Sequence, residues 1–295
     1  MVKPSSLSAR TGGFGKWAVA FLIVGSTAYA EAGGRLIATG GVSQVEGAAG
    51  GGLTPWALIA GYGTRDEIDA TAFYTHVDIT DFTLQSVGAA VGFWDRFELS
   101  LARQRFDLGT TVPGKSINQD ILGAKWRIAG DAVFDQDRWL PQIALGAQYK
   151  HNLDFDLVPK SLGAKHDSGI DVYLAATKLY LAGLAGRNVL LNGTVRATKA
   201  NQMGLLGFGG DLNDSYQLRF EGSAAVFIND RLAVGTEYRA KPNNLSAFQE
   251  DSYKDIFIAY VPNKHVSFTA AYASLGTMTD KKDQNAVYLS IQGNF

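Results

Sequence analysis

Segments of about ten residues in which apolar and polar side chains alternate recur along this chain, separated by polar or glycine-rich breaks. The last segment, 286–295, is the clearest, because Val287, Leu289, Ile291 and Phe295 share one face. A period of two is that of a β-strand whose faces meet different surroundings. Since every backbone amide in hydrocarbon must be hydrogen-bonded, a sheet spans a membrane only when it closes on itself. The repeat therefore predicts an all-β fold, an antiparallel transmembrane β-barrel.

The N-terminal segment has the features of a secretory signal peptide. A positively charged start without acidic residues is followed by the apolar run 17–24 and the small-x-small sequence Ala28-Tyr29-Ala30. The apolar run is shorter than the ~20 residues that a membrane-spanning helix needs. We therefore predict a signal peptide over 1–30, cleaved after Ala30, and an outer-membrane barrel over 31–295.

The alternation predicts about 14 strands, with 12 as the alternative count. The first two predicted strands, 35–46 and 55–63, are the weakest because glycines dilute their pattern. In the alternative, this glycine-rich segment is a loop or a plug. The other predicted strands are 70–79, 82–93, 97–106, 119–129, 141–150, 169–180, 188–198, 216–228, 232–241, 253–261, 266–275 and 286–295. The longer breaks, which we assign to the outer face, are 107–118, 152–168, 199–214, 242–251 and 277–285.

One short turn predicts the pairing of two strands. The break 229–231 separates two apolar segments, and turning the chain there pairs Val226 with Val234. Lipid-facing residues then meet lipid-facing residues, as a shared outer surface requires. The same register puts Glu221 opposite Arg239 on the inner face.

Charged residues fall mainly at predicted inward positions, where they would line the lumen. Charge directed toward lipid costs ~2–4 kcal/mol at the midplane, so any such barrel turns its charges inward. One interpretation is a polar wall that conducts small solutes, and the other is a set of mutually satisfied pairs that fills a narrow barrel. These predicted lumen-lining residues are Glu98, Lys125, Arg127, Lys150, Asp171, Arg196, Arg219, Glu221, Glu237 and Arg239.

Three motifs contain residue types that carry out catalysis or bind ligands in other proteins. His265-Val266-Ser267 has the His-x-Ser spacing of outer-membrane phospholipase A, but no orienting third group follows in 277–279. His76 and Asp78 share a predicted inward face, yet two ligands do not make a metal site. The glycine-rich stretch 204–210 lacks the Lys-Ser/Thr of a phosphate loop. We interpret it as an outer loop, with folding inward to narrow the pore as the alternative, and we predict no enzymatic activity.

Composition limits the partners. The net charge of −1 gives no electrostatic case for nucleic-acid binding. The absence of cysteine excludes disulfides and thiolate metal sites. We predict no cofactor and no metal, and as partners we predict outer-membrane lipids, the barrel-assembly machinery during biogenesis, and a small solute.

The closing sequence Gln292-Gly293-Asn294-Phe295, with the signal segment and the glycine-rich start, resembles an uncharacterised family of proteobacterial outer-membrane β-barrel proteins. The alternating last strand with its terminal aromatic is also similar to the signal that the barrel-assembly machinery reads. That resemblance implies a C-terminal assembly signal formed by Val287, Leu289, Ile291 and Phe295. It implies no activity and no functional residues beyond these.

From these observations we predict a porin-like passive channel for small solutes in the outer membrane of a Gram-negative bacterium. One alternative is a structural or surface-interaction barrel with a packed lumen. The other is an outer-membrane lipid-acting enzyme, which the incomplete His-x-Ser motif disfavours.

Replacing the terminal aromatic tests the predicted assembly signal. We expect Phe295→Ala to lower the fraction of chain that inserts, because the assembly machinery loses the side chain that it reads. Heat-modifiable gel mobility of the membrane fraction measures that fraction. Phe155→Ala, in a predicted outer loop, is the matched control. Equal insertion of the two variants would contradict the prediction.

Overall fold

The computed structural model describes residues 33–295, so the predicted signal peptide over 1–30 lies outside the described residues. Twelve antiparallel strands, β3 to β14, form one closed barrel, and two short strands pair with each other. Within 33–295, no helix is long and apolar enough to cross a membrane. The strands are β1 (Val42–Ser43), β2 (Ala49–Gly50), β3 (Ile68–Ile79), β4 (Thr83–Phe93), β5 (Phe97–Asp107), β6 (Ser116–Ala129), β7 (Gln142–Asn152), β8 (Ser168–Leu184), β9 (Arg187–Thr198), β10 (Gln217–Asn229), β11 (Leu232–Arg239), β12 (Tyr253–Asn263), β13 (Val266–Met278) and β14 (Lys281–Asn294).

Each barrel strand pairs with its neighbours in sequence, and β14 pairs with β3 to close the cylinder. The predicted register at the β10–β11 turn is confirmed, since Val226 pairs with Val234 and Glu221 with Arg239. Outward side chains along the strands are apolar and exposed while those between them are buried, as with Ile258, which is 49% exposed. The period of two therefore arises from a wall with lipid on one side only.

The count of fourteen strands is wrong, and the alternative of twelve is what the structure has. The segments 35–46 and 55–63 are not in the wall. Only Val42–Ser43 and Ala49–Gly50 form strands there, and they pair with each other. Because this stretch is rich in glycine and lacks a sustained apolar face, it has no surface to turn toward lipid.

The two ends of the barrel differ in their connections. Tight turns follow β4, β8, β10 and β12 at one end, where the wall also begins and ends. Long connections at 153–167, 199–216 and 240–252 lie at the other end. Since such barrels keep short turns in the periplasm, we name these the periplasmic and the outer end. The long break predicted at 277–285 is instead a tight turn between β13 and β14.

Near the outer end the wall exchanges its polar and apolar faces. On β3, Val77 and Ile79 point inward and are buried, whereas His76 and Asp78 point outward. The predicted inward position of His76 and Asp78 is therefore wrong. Similarly, Arg103 on β5 forms an outward ion pair of 2.6 Å with its neighbour on β6. Charged outward faces are excluded from hydrocarbon, so this rim stands above the lipid core.

A charge on the lipid face tests the outward assignment. Ile258 pairs with Val234 and Ala270 in the middle of the wall. We expect Ile258→Arg to lower the free energy of unfolding in bilayers by about 2–4 kcal/mol, because the cation lies in hydrocarbon. Leu157→Arg, in an outer loop, is the control and should have little effect. Equal effects, measured by urea unfolding, would contradict the assignment.

Candidate functional site

The segment 35–62, here called the plug, fills the lumen. Every residue from 43 to 62 is buried. Its backbone and side chains form hydrogen bonds with strands β3 to β11 and with β14, all around the wall. For example, the backbone amide of Leu53 donates to the Glu237 carboxylate on β11 at 2.8 Å. On the opposite side of the lumen, the side chain of Gln104 on β5 donates to the Val45 carbonyl at 2.9 Å.

Both ends of the plug lie at the periplasmic end. The Arg35 amide donates to the Tyr62 carbonyl at 3.1 Å, so the start and the finish of the segment are joined. Lys264, in the turn after β12, donates to the Gly33 carbonyl at 2.7 Å. The plug therefore enters from the periplasmic side and returns there to begin β3.

Glycines let the plug backbone approach the wall. A Cβ at Gly51 would collide with the Glu237 carboxylate, and one at Gly61 would collide with the Asp69 carboxylate. Gly61 also has a φ of +82°, in the left-handed region that glycine adopts without strain. The glycines that weaken the strand pattern are thus the residues that allow a close fit inside the barrel.

A buried set of six charges, here called the ion network, joins the plug to the wall. The carboxylate of Glu46 from the plug accepts a hydrogen bond from Arg239 at 2.7 Å and one from Lys150. Arg196 lies at 4.0 Å from the same carboxylate. Because the wall alone holds three cations and two acids, Glu46 balances the charge. The members of the ion network are Glu46, Lys150, Asp171, Arg196, Glu221 and Arg239.

Glu46 was not identified as a functional residue from the sequence, although a signal was present. It is the only charged residue between Arg35 and Arg65. Burial opposes its ionisation, but the charges of Arg239 and the other two cations outweigh burial and hold the pKa of the Glu46 carboxyl below its usual range. Glu46 is therefore a buried carboxylate held in its charged form.

A second buried pair also holds the plug. Lys125 lies 3.1 Å from Glu98, and its ammonium donates to the carbonyls of Ala49 and Leu58 at 2.8 and 2.9 Å. The Glu98 carboxylate accepts from the amides of Ala49 and Ala60. Charged wall groups thus bind backbone groups of the plug, including those of Ala49 in β2.

The predicted lumen-lining residues occupy three places. Arg127 lies at the periplasmic end, where it binds Asp95 and, at 2.8 Å, Asp131. Arg219 is half-buried near the outer end. The rest are buried within the barrel and bind the plug or one another, and these are Glu98, Lys125, Lys150, Asp171, Arg196, Glu221, Glu237 and Arg239.

Apolar side chains close the outer mouth of the lumen. The loop after β9 folds inward, so the predicted alternative for 204–210 is confirmed. Its residues Met203, Leu205 and Leu206 pack with Val45 of the plug and with wall residues. We call this group the mouth cluster; it also includes Phe82 in the turn after β3, and its wall members include Val77, Ile79, Leu84, Phe106, Ile117, Tyr253, Leu275, Met278 and Tyr288.

A buried ion pair from the outer loops fixes the inward loop. The Glu250 carboxylate accepts a hydrogen bond from the backbone amide of Gln202 at 3.2 Å and lies 3.4 Å from the Lys241 ammonium. Lys241 in turn lies 4.0 Å from the centre of the Tyr253 ring. Both side chains are buried, and this burial raises the pKa of the Glu250 carboxyl and lowers that of the Lys241 ammonium.

The C-terminal strand completes the wall. Val287, Leu289 and Ile291 point outward and are exposed. Phe295 exchanges backbone hydrogen bonds with Ala70 at the start of β3. Their role in assembly stays a prediction.

The His-x-Ser motif does not form a complete catalytic site. His265 is exposed in the periplasmic turn, while Ser267 is buried and its hydroxyl has no hydrogen-bond partner in the described chain. Over residues 33–295, no group of three or more potential ligands could hold a metal ion.

Fold and lumen together define a twelve-stranded outer-membrane β-barrel with an internal plug. By sequence, the chain belongs to the family described as "Protein of unknown function (DUF3034)", whose model matches residues 39–292. Among curated proteins, none matches the chain.

Several solved outer-membrane barrels are similar in structure. A KdgM porin in complex with disordered oligogalacturonate has a TM-score of 0.50 at 11% identity, covering 76% of this chain and 99% of its own. The Omp33 protein of Acinetobacter baumannii has a TM-score of 0.47 at 11% identity, covering 79% and 100%. A NanC porin has a TM-score of 0.47 at 11% identity, covering 77% and 99%. At this identity the likeness concerns the fold alone.

Neutralising Glu46 tests the ion network. Removing one partner from a buried charge cluster costs about 3–5 kcal/mol, so we expect Glu46→Gln to increase the released fraction of the plug by about 100-fold or more. Trypsin cleavage at the buried Arg35 in the folded barrel measures this release. Asp66→Asn, which neutralises an exposed acid, is the control. Equal cleavage rates in both variants would contradict the role of the network.

Proposed function

We propose that this protein is a gated passive channel for small solutes in the bacterial outer membrane, closed in the described state by its own plug and, at the outer mouth, by the inward loop after β9. The observation that carries the proposal is the path of the plug, whose two ends lie together at the periplasmic end. Such a segment can leave the lumen without any part of the chain passing through the wall.

The wall does not need the plug in order to close. The hydrogen-bonded ladder runs from β3 around to β14 and contains no plug residue. Withdrawal of the plug would therefore leave an intact cylinder. Barrels of eight strands are filled by their own side chains and those of sixteen hold an aqueous channel, so twelve strands leave space for solutes once the plug is out and the inward loop after β9 has left the outer mouth.

The chemistry of the contact also supports a plug that moves. Beside apolar contacts such as those of Trp56 and Leu58, plug and wall meet through many ion pairs and hydrogen bonds, which water can replace when the two separate. A buried ion pair adds little net stability compared with apolar packing of the same volume. A wall carrying Lys150, Arg196 and Arg239 suits a water-filled lumen better than a permanently dry one.

The fold of the similar KdgM porin agrees with a channel, but a fold hosts many functions, so the plug carries the argument. The proposal includes export through the segment 1–30 with cleavage after Ala30, and assembly through the C-terminal strand. It includes no enzymatic activity.

A second candidate rests on the filled lumen itself. If the plug never leaves, the protein is a structural or surface-interaction barrel whose outer loops meet a partner. The complete burial of 43–62 favours this alternative.

A reversible disulfide between the plug and the wall distinguishes the gated channel from the structural barrel. The side-chain oxygens of Thr54 in the plug and Ser223 on β10 are 2.5 Å apart, and the chain has no cysteine of its own. A disulfide in Thr54→Cys/Ser223→Cys should hold the plug in place. In planar bilayers we expect the oxidised double variant to be silent and the reduced one to show discrete openings like the wild type.

The two single variants are the matched controls and should conduct under both conditions. Conductance of the oxidised double variant, with its disulfide verified, would show that the plug is not the gate. Silence of the wild type, the reduced double variant and Glu46→Gln would overturn the channel and favour the packed barrel.

A further inference from the structure

The plug places one carboxylate in a cationic site built by the wall. Lys150 from β7, Arg196 from β9 and Arg239 from β11 converge on Glu46 from three strands. The other acids of the ion network, both on the wall, leave one of these cations uncompensated. In the closed state the plug supplies the balancing carboxylate, while the neighbouring wall acid Glu237 binds the backbone amides of Leu53 and Thr54.

An apolar surface lies beside this cationic site. Val45, the residue before Glu46, packs in the mouth cluster together with Leu53 of the plug. Met203 belongs to the same cluster, and its carbonyl accepts from Lys150 at 3.4 Å, so the two surfaces adjoin. The apolar occupants come from the plug and the inward loop, which are the parts that would move on opening.

Once these parts move, apolar wall residues such as Ile79, Leu84 and Phe106 would face the lumen. A passage for strongly hydrated sugars or inorganic ions gains nothing from such a lining, because uncovered apolar surface in water is unfavourable. A solute that covers the apolar side and supplies the missing anion would satisfy both surfaces.

We propose that the solute class of this channel is a small carboxylate with an apolar body, such as an aromatic or branched aliphatic acid, which takes the place of Val45 and Glu46. This inference rests on the proposed channel function and names its substrate class. A cation supplies no anionic group to this site, and a neutral polar solute matches neither surface.

Removing the built-in occupants allows a direct binding test. In Val45→Ala/Glu46→Ala, the cationic site and part of the mouth cluster are vacated. We expect sodium benzoate at ten times its Kd to raise the Tm of this folded variant in detergent by about 3 °C. Sodium acetate, which has no apolar body, and benzyl alcohol, which has no charge, should give smaller shifts at the same concentration.

Glu46→Ala alone is the second variant, used if the double variant gives no heat-modifiable barrel. The wild type and Asp66→Ala keep Glu46 in place and should show no shift with benzoate. Equal shifts with acetate and benzoate, or no shift in either vacated variant, would overturn the solute class.

The melting test does not depend on conductance. If the protein conducts but benzoate does not raise the Tm of the vacated variants, the solute class is refuted and the channel function is not. If benzoate raises the Tm of a vacated variant but no plug variant conducts in planar bilayers, the binding site is supported and the channel function is refuted.

Discussion

The diameter of a twelve-stranded barrel is the constraint on which the rest of this structure depends. Lipid on one side fixes the apolar outer face, and closure removes the sheet edges. The resulting lumen is wider than wall side chains alone can fill. In the described state the protein solves this with a glycine-rich segment of its own chain, which brings a carboxylate to a wall that holds one more cation than acids in its ion network.

The lumen is filled through both polar and apolar contacts. Ion pairs and hydrogen bonds hold the plug to most of the wall strands, where water could replace them, and Trp56 and Leu58 add apolar contacts with the wall. Apolar packing closes the outer mouth, where the wall turns its apolar side chains inward. In the proposed opening, the polar contacts lower the energetic cost of withdrawing the plug, and the apolar ones define what an entering solute must cover.

The sequence predicted the wall well because one physical cause acts on every strand. Lipid imposes a period of two, and a short turn such as 229–231 then fixes the register of Val226 against Val234. The twelve wall strands were therefore located, while the two predicted before them were not strands of the wall. A buried segment meets the same interior on all sides, so it carries no alternation that sequence reasoning can use.

The site was only partly predictable for a related reason. The wall charges were found because inward positions alternate with lipid-facing ones. Their partner Glu46 lies on the irregular plug, where only its isolation among uncharged residues marked it. At the outer rim the rule itself fails, since His76 and Asp78 stand above the hydrocarbon and face outward.

Hydrogen–deuterium exchange of the reconstituted barrel tests the central claim most directly. The amides of Leu53, Ala57 and Ala60 donate to wall side chains, so a seated plug protects them. A seated but removable plug predicts that these amides exchange together, more slowly than those of the outer loops and faster than those of the wall strands. Exchange as fast as the loops would mean that the lumen is not filled, and exchange no faster than the wall would mean that the plug never leaves.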